Sequence, residues 1–134
     1  MSEANLKISL IIPEYNEAEG VSQTATAVRN LLTYMRKTHD VEVVFVNDGS
    51  KDDTAKLLQA EFKDDAQVRV ISHEVNKGLG AAMRTGFQNA KGDIIISTDF
   101  DGTYPLNTIP QMLARLLVDN VDIVTASPYH PNGH

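Results

Sequence analysis

Ile94-Ile95-Ile96-Ser97-Thr98-Asp99-Phe100-Asp101-Gly102-Thr103-Tyr104-Pro105 is an apolar β-type run that ends in two aspartates flanking one residue. Successive side chains of a strand point to opposite faces, so residues i and i+2 share a face. If that geometry persists past Thr98, Asp99 and Asp101 point the same way at the carboxyl end of a strand. Open α/β sheets bind their ligands at that edge. Two adjacent carboxylates raise each other's pKa, and a hard divalent cation lets both stay ionised. Magnesium or manganese is commonly held by one or two carboxylates together with substrate phosphates. A polar turn after a buried strand, with Asp-Gly for the bend, is the structural alternative.

Outward from this stretch, strands and helices alternate along the chain. Lys7–Pro13 reads as a buried strand stopped by Pro13, with Glu14–Glu17 as a loop. Asn16 and Glu19 have the spacing of an N-cap and capping box. Val21, Ala25, Val28, Leu32 and Met35 recur at helical spacing, predicting an amphipathic helix to about Lys37. Val41–Val46 is a continuous apolar run, as in strands covered on both faces. The turn Asn47–Ser50 follows, with Ser50 as the expected cap of a helix that buries Ala55, Leu58 and Phe62. Val68–Ser72 is a third strand. The glycine-rich loop Asn76–Gly80 leads into a helix expected to turn Leu79, Met83, Gly86, Phe87 and Ala90 inward. After Ile94–Thr98, a helix opening near Pro105 is expected to bury Met112, Leu113, Leu116 and Leu117, followed by a fifth strand, Val121–Ala126. Strictly alternating strands and helices with short links predict a three-layer α/β/α fold on a mostly parallel sheet.

The 134 residues suffice for one domain with a core of its own. A net charge of -6 speaks against nucleic acid as the partner, because phosphate backbones select basic surfaces. It leaves a nucleotide open, since a metal can offset the ligand's charge. There is no cysteine, hence no disulfide or thiolate chemistry. No apolar run approaches the length of a membrane span or signal peptide.

In a parallel sheet the loops after the strands share one rim. Pro13–Glu17, Asn47–Ser50, part of Glu74–Gly78 and Asp99–Pro105 would therefore meet. Asp48 either accepts a ligand N–H or serves the backbone of its own turn. On a rim, it would lie outside the core. Tyr15 either covers a base or packs on the domain edge. Glu17 either orients that ligand or favours the helix start electrostatically. Gly78 and Gly80 precede a helix, which suits a phosphate cradle or close helix–sheet packing. They fit neither a dinucleotide fingerprint nor a Walker loop. Arg84 reads as a solvated helix residue. His39, His73, His130 and His134 lack metal-ligand spacing and read as surface residues. No Ser-His-Asp or Cys-His constellation is visible.

Taken together, Ile11–Glu17, Val46–Thr54, Asn76–Gly80 and Asp99-Phe100-Asp101 with Pro105 resemble the donor half of glycosyltransferase family 2. The nearest resemblance is to the dolichol-phosphate mannosyl- or glucosyltransferase-like branch. It implies the nucleotide-diphospho-sugar transferase fold (GT-A, Rossmann-like), with residues 1–134 as a single, truncated, donor-binding domain. By resemblance, Pro13, Tyr15 and Glu17 line the nucleotide pocket and Asp48 binds the base. Asp99, Phe100 and Asp101 fall on the family's Asp-x-Asp, whose carboxylates hold magnesium or manganese against the donor diphosphate. The implied reaction transfers a hexose from a UDP- or GDP-sugar, with inversion, to an acceptor of the polyprenyl-phosphate class. The implied location is the cytoplasm, or the cytoplasmic face of a membrane within a longer parent protein. Two departures stand out. Gly102-Thr103 replace the branch's frequent Leu-Gln, and Pro128 takes the place of an arginine that would help hold the diphosphate. The acceptor-binding half is expected beyond His134, so no catalytic base is assigned here, and the face left uncovered invites self-association.

Three other readings compete. A sugar nucleotidyltransferase on a related fold calls for a glycine- and arginine-rich first loop, which Pro13–Glu17 does not supply. A receiver-type module calls for an aspartate after the third strand, where Ser72-His73 stand. A fragment that binds a nucleotide sugar without transferring it has the same residues as the leading reading.

Overall fold

The computed structural model describes residues 6–97 and the backbone of 98 and 123–126. Among the described residues there are five strands and three α-helices, in the order β1 (Lys7–Glu14), α1 (Val21–Met35), β2 (Asp40–Asp48), α2 (Thr54–Glu61), β3 (Val68–His73), α3 (Leu79–Asn89), β4 (Ile94–Thr98) and β5 (Ile123–Ala126). The strands form one sheet of order β3-β2-β1-β4-β5, and every described pair is parallel. The path runs from β1 through β2 to β3, then returns past β1 to β4. Right-handed crossovers therefore put α1 and α2 on one face and α3 on the other.

Side-chain alternation follows that division. Ile8, Leu10, Ile12, Val41, Val43 and Phe45 form one core with Val21, Ala25, Val28, Leu32 and Met35 of α1 and Leu58 of α2. Ile11, Val44 and Val46 form the other with Ala82 of α3. The expected three-layer α/β/α architecture is thus present.

Several local expectations need correction. Pro13 does not stop β1: it pairs with Val46, and Glu14 with Asn47. A proline withholds one N–H, and at Pro13 the strand is already past its last described pair with β4, Ile11–Ser97. Asn47 and Asp48 extend β2 rather than opening a turn, pairing with Ser72 and His73. On α3 the inward residues are Ala82 and Gly86, whereas Leu79 and Phe87 are exposed. Gly86 decides the phase: a β-carbon there would stand 2.2 Å from Ile11 Cγ2, so the helix presents its smallest residues to the sheet. At Gly78 and Gly80 a β-carbon would meet nothing within 4 Å, so neither is a close-packing glycine. The helix expected to bury Met112, Leu113, Leu116 and Leu117 lies outside the described residues.

The amino-terminal end of the sheet is fastened by a buried carboxylate. Glu42 accepts Ser9 Oγ at 2.5 Å and the Lys91 amide at 2.6 Å on one oxygen. Arg69 Nη2 reaches the other at 2.9 Å. Ser9 Oγ in turn accepts the Gly92 amide at 2.8 Å. Burial pushes the Glu42 carboxyl up, and the bonds from Ser9, Lys91 and Arg69 outweigh it, leaving it below its usual value. Glu42→Gln is expected to cost about 2 kcal/mol at neutral pH, because one charge-assisted acceptor is lost while its donors stay buried. The sign of the pH dependence follows from the lowered pKa. The carboxylate's contribution is complete above the unfolded value of about 4 and is lost as pH falls through the lower folded value. Urea melts of both chains from neutral pH into acid should therefore converge; a constant gap would mean the charge itself contributes nothing.

Candidate nucleotide-sugar site

At the carboxyl edge of the sheet the ends of β1 and β2, the loop after β3 and the start of α3 enclose a cleft of about 340 Å³. Pro13, Glu14, Tyr15, Glu17, Asp48, Asn76, Gly78, Leu79 and Ala82 line it. The four candidates Pro13, Tyr15, Glu17 and Asp48 thus come together. Tyr15 is 42% exposed, leaving its ring accessible at the mouth. Asp99, Phe100 and Asp101 lie outside the described residues. They follow Thr98, the last residue of β4, which ends at this same edge. Among the described residues no group of three His, Asp or Glu is placed to hold a metal.

The loop after β1 is set by the loop after β2. Asn16 adopts φ 51° and does not cap a helix. Its amide donates to Ser50 Oγ at 2.9 Å, and its Oδ1 accepts the Lys51 amide at 2.8 Å. The 3₁₀ turn Ala18–Gly20 precedes α1. The amides at its start are satisfied from the loop after β2 and the first residue of α2: Glu17 N donates to Thr54 Oγ1 at 2.9 Å and Ala18 N to Asp52 Oδ2 at 3.1 Å. Ser50, expected as a cap for α2, instead serves Asn16. These bonds fix Glu17 between the anchored Asn16 and Ala18, and Tyr15 directly precedes the anchored Asn16.

Asp48 is 4% exposed, not a bare rim carboxylate. Oδ1 accepts His73 Nδ1 at 2.8 Å and the Lys77 amide at 2.9 Å. Oδ2 accepts the Gly78 amide at 2.8 Å and Asn76 Nδ2 at 3.0 Å. Burial raises its pKa; the bonds from His73, Lys77 and Gly78 overcome that and hold it below the usual carboxylate range. It is therefore ionised at neutral pH, with each oxygen accepting two bonds. Next to it, Gly49 takes φ 69°, and a β-carbon there would stand 2.2 Å from Asn76 N and Val75 C. The β2–α2 turn thus packs backbone to backbone against the loop that caps Asp48. Gly78, at φ 98°, aims its amide at Oδ2 in a conformation that favours glycine.

His73, expected at the surface, is instead sandwiched. Its side chain is 9% exposed, and Nε2 lies 2.7 Å from Thr85 Oγ1 of α3. Spacing carries no signal for it, because its partners sit 25 residues before and 12 after.

A parallel sheet of this order, with helices on both faces and a cleft at its carboxyl edge, has the architecture of the GT-A fold. The family model described as Glycosyl transferase family 2 matches residues 9–134, and the chain belongs to that family. The prophage bactoprenol glucosyl transferase homolog of Escherichia coli is 36% identical over 110 residues, which are 82% of this chain and 35% of the relative. An undecaprenyl-phosphate 4-deoxy-4-formamido-L-arabinose transferase of Pseudomonas fluorescens is 37% identical over 114 residues, 81% of this chain and 32% of the relative. The chain thus spans about a third of the length of these curated relatives. A mannosyltransferase of Pyrobaculum calidifontis, solved in complex with GDP-Man and Mn2+, superposes with a TM-score of 0.67 at 23% identity, over 79% of this chain and 30% of that one. Among the described residues no helix is long and apolar enough to cross a membrane.

Proposed function

We propose that this chain is the donor-binding part of a glycosyltransferase that uses a nucleotide-diphosphate sugar, with transfer to a lipid phosphate of the polyprenyl class. The observation that carries the reading is the common cleft of Pro13, Tyr15, Glu17 and Asp48 at the carboxyl edge. The acceptor class draws on the names of the relatives, which are bactoprenol and undecaprenyl-phosphate transferases.

In this reading Tyr15 covers the face of the base at the mouth of the cleft, and Glu17 orients the nucleotide. Asp48 accepts an N–H of the base. Its four acceptor directions are already filled, so the ligand takes the place of one donor. The Asn76 amide is the replaceable one, because Asn76 Nδ2 also donates to the Asp48 carbonyl at 3.1 Å and keeps that bond. Asp99 and Asp101, with Phe100 between them, hold a divalent cation where β4 ends. When bound, that cation offsets charge on the diphosphate and its leaving group. Transfer is by direct displacement with inversion, and this chain supplies the leaving-group side of it. The location proposed is the cytoplasm or the cytoplasmic face of a membrane.

The cation is tested by Asp99→Asn and Asp101→Asn. Each removes a hard anionic ligand, so each should weaken UDP or GDP binding about tenfold or more in manganese and leave residual binding in chelator unchanged. An equal loss in both conditions would make the pair structural.

A further inference from the structure

We propose that His73 is a positioning residue of the donor site, acting through Asp48. The proposal rests on the donor reading above and concerns a side chain that does not line the cleft.

Geometry fixes the imidazole from both sides. Asp48 is an acceptor at neutral pH, so the proton between the two side chains sits on Nδ1. On the far side Nε2 meets the Thr85 hydroxyl, which can donate to it or accept from it. The ring therefore keeps both bonds whether neutral or charged. The line Asp48–His73–Thr85 ties the ends of β2 and β3 to the second turn of α3. It does not activate a nucleophile, because Thr85 lies away from the cleft.

What His73 controls is the direction of the Asp48 carboxylate. The Lys77 and Gly78 amides and the Asn76 side chain all come from one short loop. His73 alone among the described donors comes from the sheet, on the neighbouring strand paired at Asp48. Without it the carboxylate can follow the loop as it moves. With it, the carboxylate keeps one orientation beside the cleft, and the loop is registered to the sheet. Base recognition needs that fixed orientation, because a misdirected acceptor loses most of a charged hydrogen bond.

The test compares two amide substitutions of His73. An asparagine amide falls near the position of Nδ1 and can restore the bond to Asp48. A glutamine amide falls near Nε2 and can restore only the contact with Thr85. Calorimetry of the full chain with UDP and GDP in manganese should find His73→Asn within about threefold of the unaltered chain and His73→Gln weakened about tenfold. Manganese pyrophosphate, which has no base, should bind both variants as it binds the unaltered chain. Equal nucleotide affinity of the two variants, or equal losses for nucleotide and pyrophosphate, overturns the positioning role and leaves the donor reading in place. An unaltered chain that takes up pyrophosphate but neither nucleotide overturns both. The glutamine variant is compared only after its melting midpoint is measured. If it does not fold, Thr85→Val replaces it: a nucleotide-specific loss of about threefold supports the proposal, and no loss overturns it.

Discussion

Gly49→Ala should cost about 4 kcal/mol of stability and abolish measurable nucleotide binding. Two penalties combine. The backbone sits at φ 69°, where a β-carbon is strained, and that carbon would stand 2.2 Å from Asn76 N and Val75 C. Those neighbours are main-chain atoms, which cannot rotate away as a side-chain end can. Relief requires the loop after β3 to move, and the same loop supplies three of the donors to Asp48. Gly80→Ala is the matched control. A β-carbon there meets nothing within 4 Å, and alanine in a first helical turn should be neutral or stabilise by about 0.5 kcal/mol. Urea unfolding of the two variants measures the difference; a Gly49→Ala midpoint equal to that of the unaltered chain would mean the two loops are not held as described.

Asp48→Ala should be nearly as costly, at about 4 kcal/mol, and it should remove base recognition as well. The substitution leaves the His73 ring and the Lys77 and Gly78 amides without their acceptor. Buried donors without partners carry the greater part of that cost. Asp48→Asn separates the two effects. It retains one acceptor oxygen but places an amide against donors, so stability should recover only in part while binding stays lost. Acid should narrow the gap to the unaltered chain, since the lowered Asp48 pKa stabilises above about pH 4 and that contribution fades as pH falls through the folded value. A stable Asp48→Ala chain that no longer binds nucleotide would return Asp48 to the rim position its sequence context suggests.

That context shows where sequence reading succeeds and where it stops. Strong local patterns carry the architecture. The runs Leu10-Ile11-Ile12 and Val43–Val46 are buried strands, and the helical spacing from Val21 to Met35 is the buried face of α1. The alternation of strands and helices, with right-handed crossovers, then leaves little freedom in layer order. The face of α3 is read wrongly because its inward residues are small. Ala82 and Gly86 give little hydrophobic signal beside Leu79 and Phe87, yet only a residue without a β-carbon clears Ile11. Residues joined across the sheet are harder still. Asn16 resembles a helix cap from its neighbours, but its partners are Ser50 and Lys51. His73 has no local partner at all. The motif residues Pro13, Tyr15, Glu17 and Asp48 are legible through family resemblance and meet in one cleft. The donors that hold Asp48 belong to a loop and a strand that only the folded chain brings to it.

Under the proposed function the cleft takes the nucleotide of a sugar donor, with Asp99 and Asp101 supplying the cation. The most direct measurement is calorimetric titration of the chain with UDP and with GDP, each in manganese and in chelator. One of the two nucleotides should bind saturably at one site per chain, about tenfold or more tightly in manganese. Absence of binding by both nucleotides in both conditions would contradict the account.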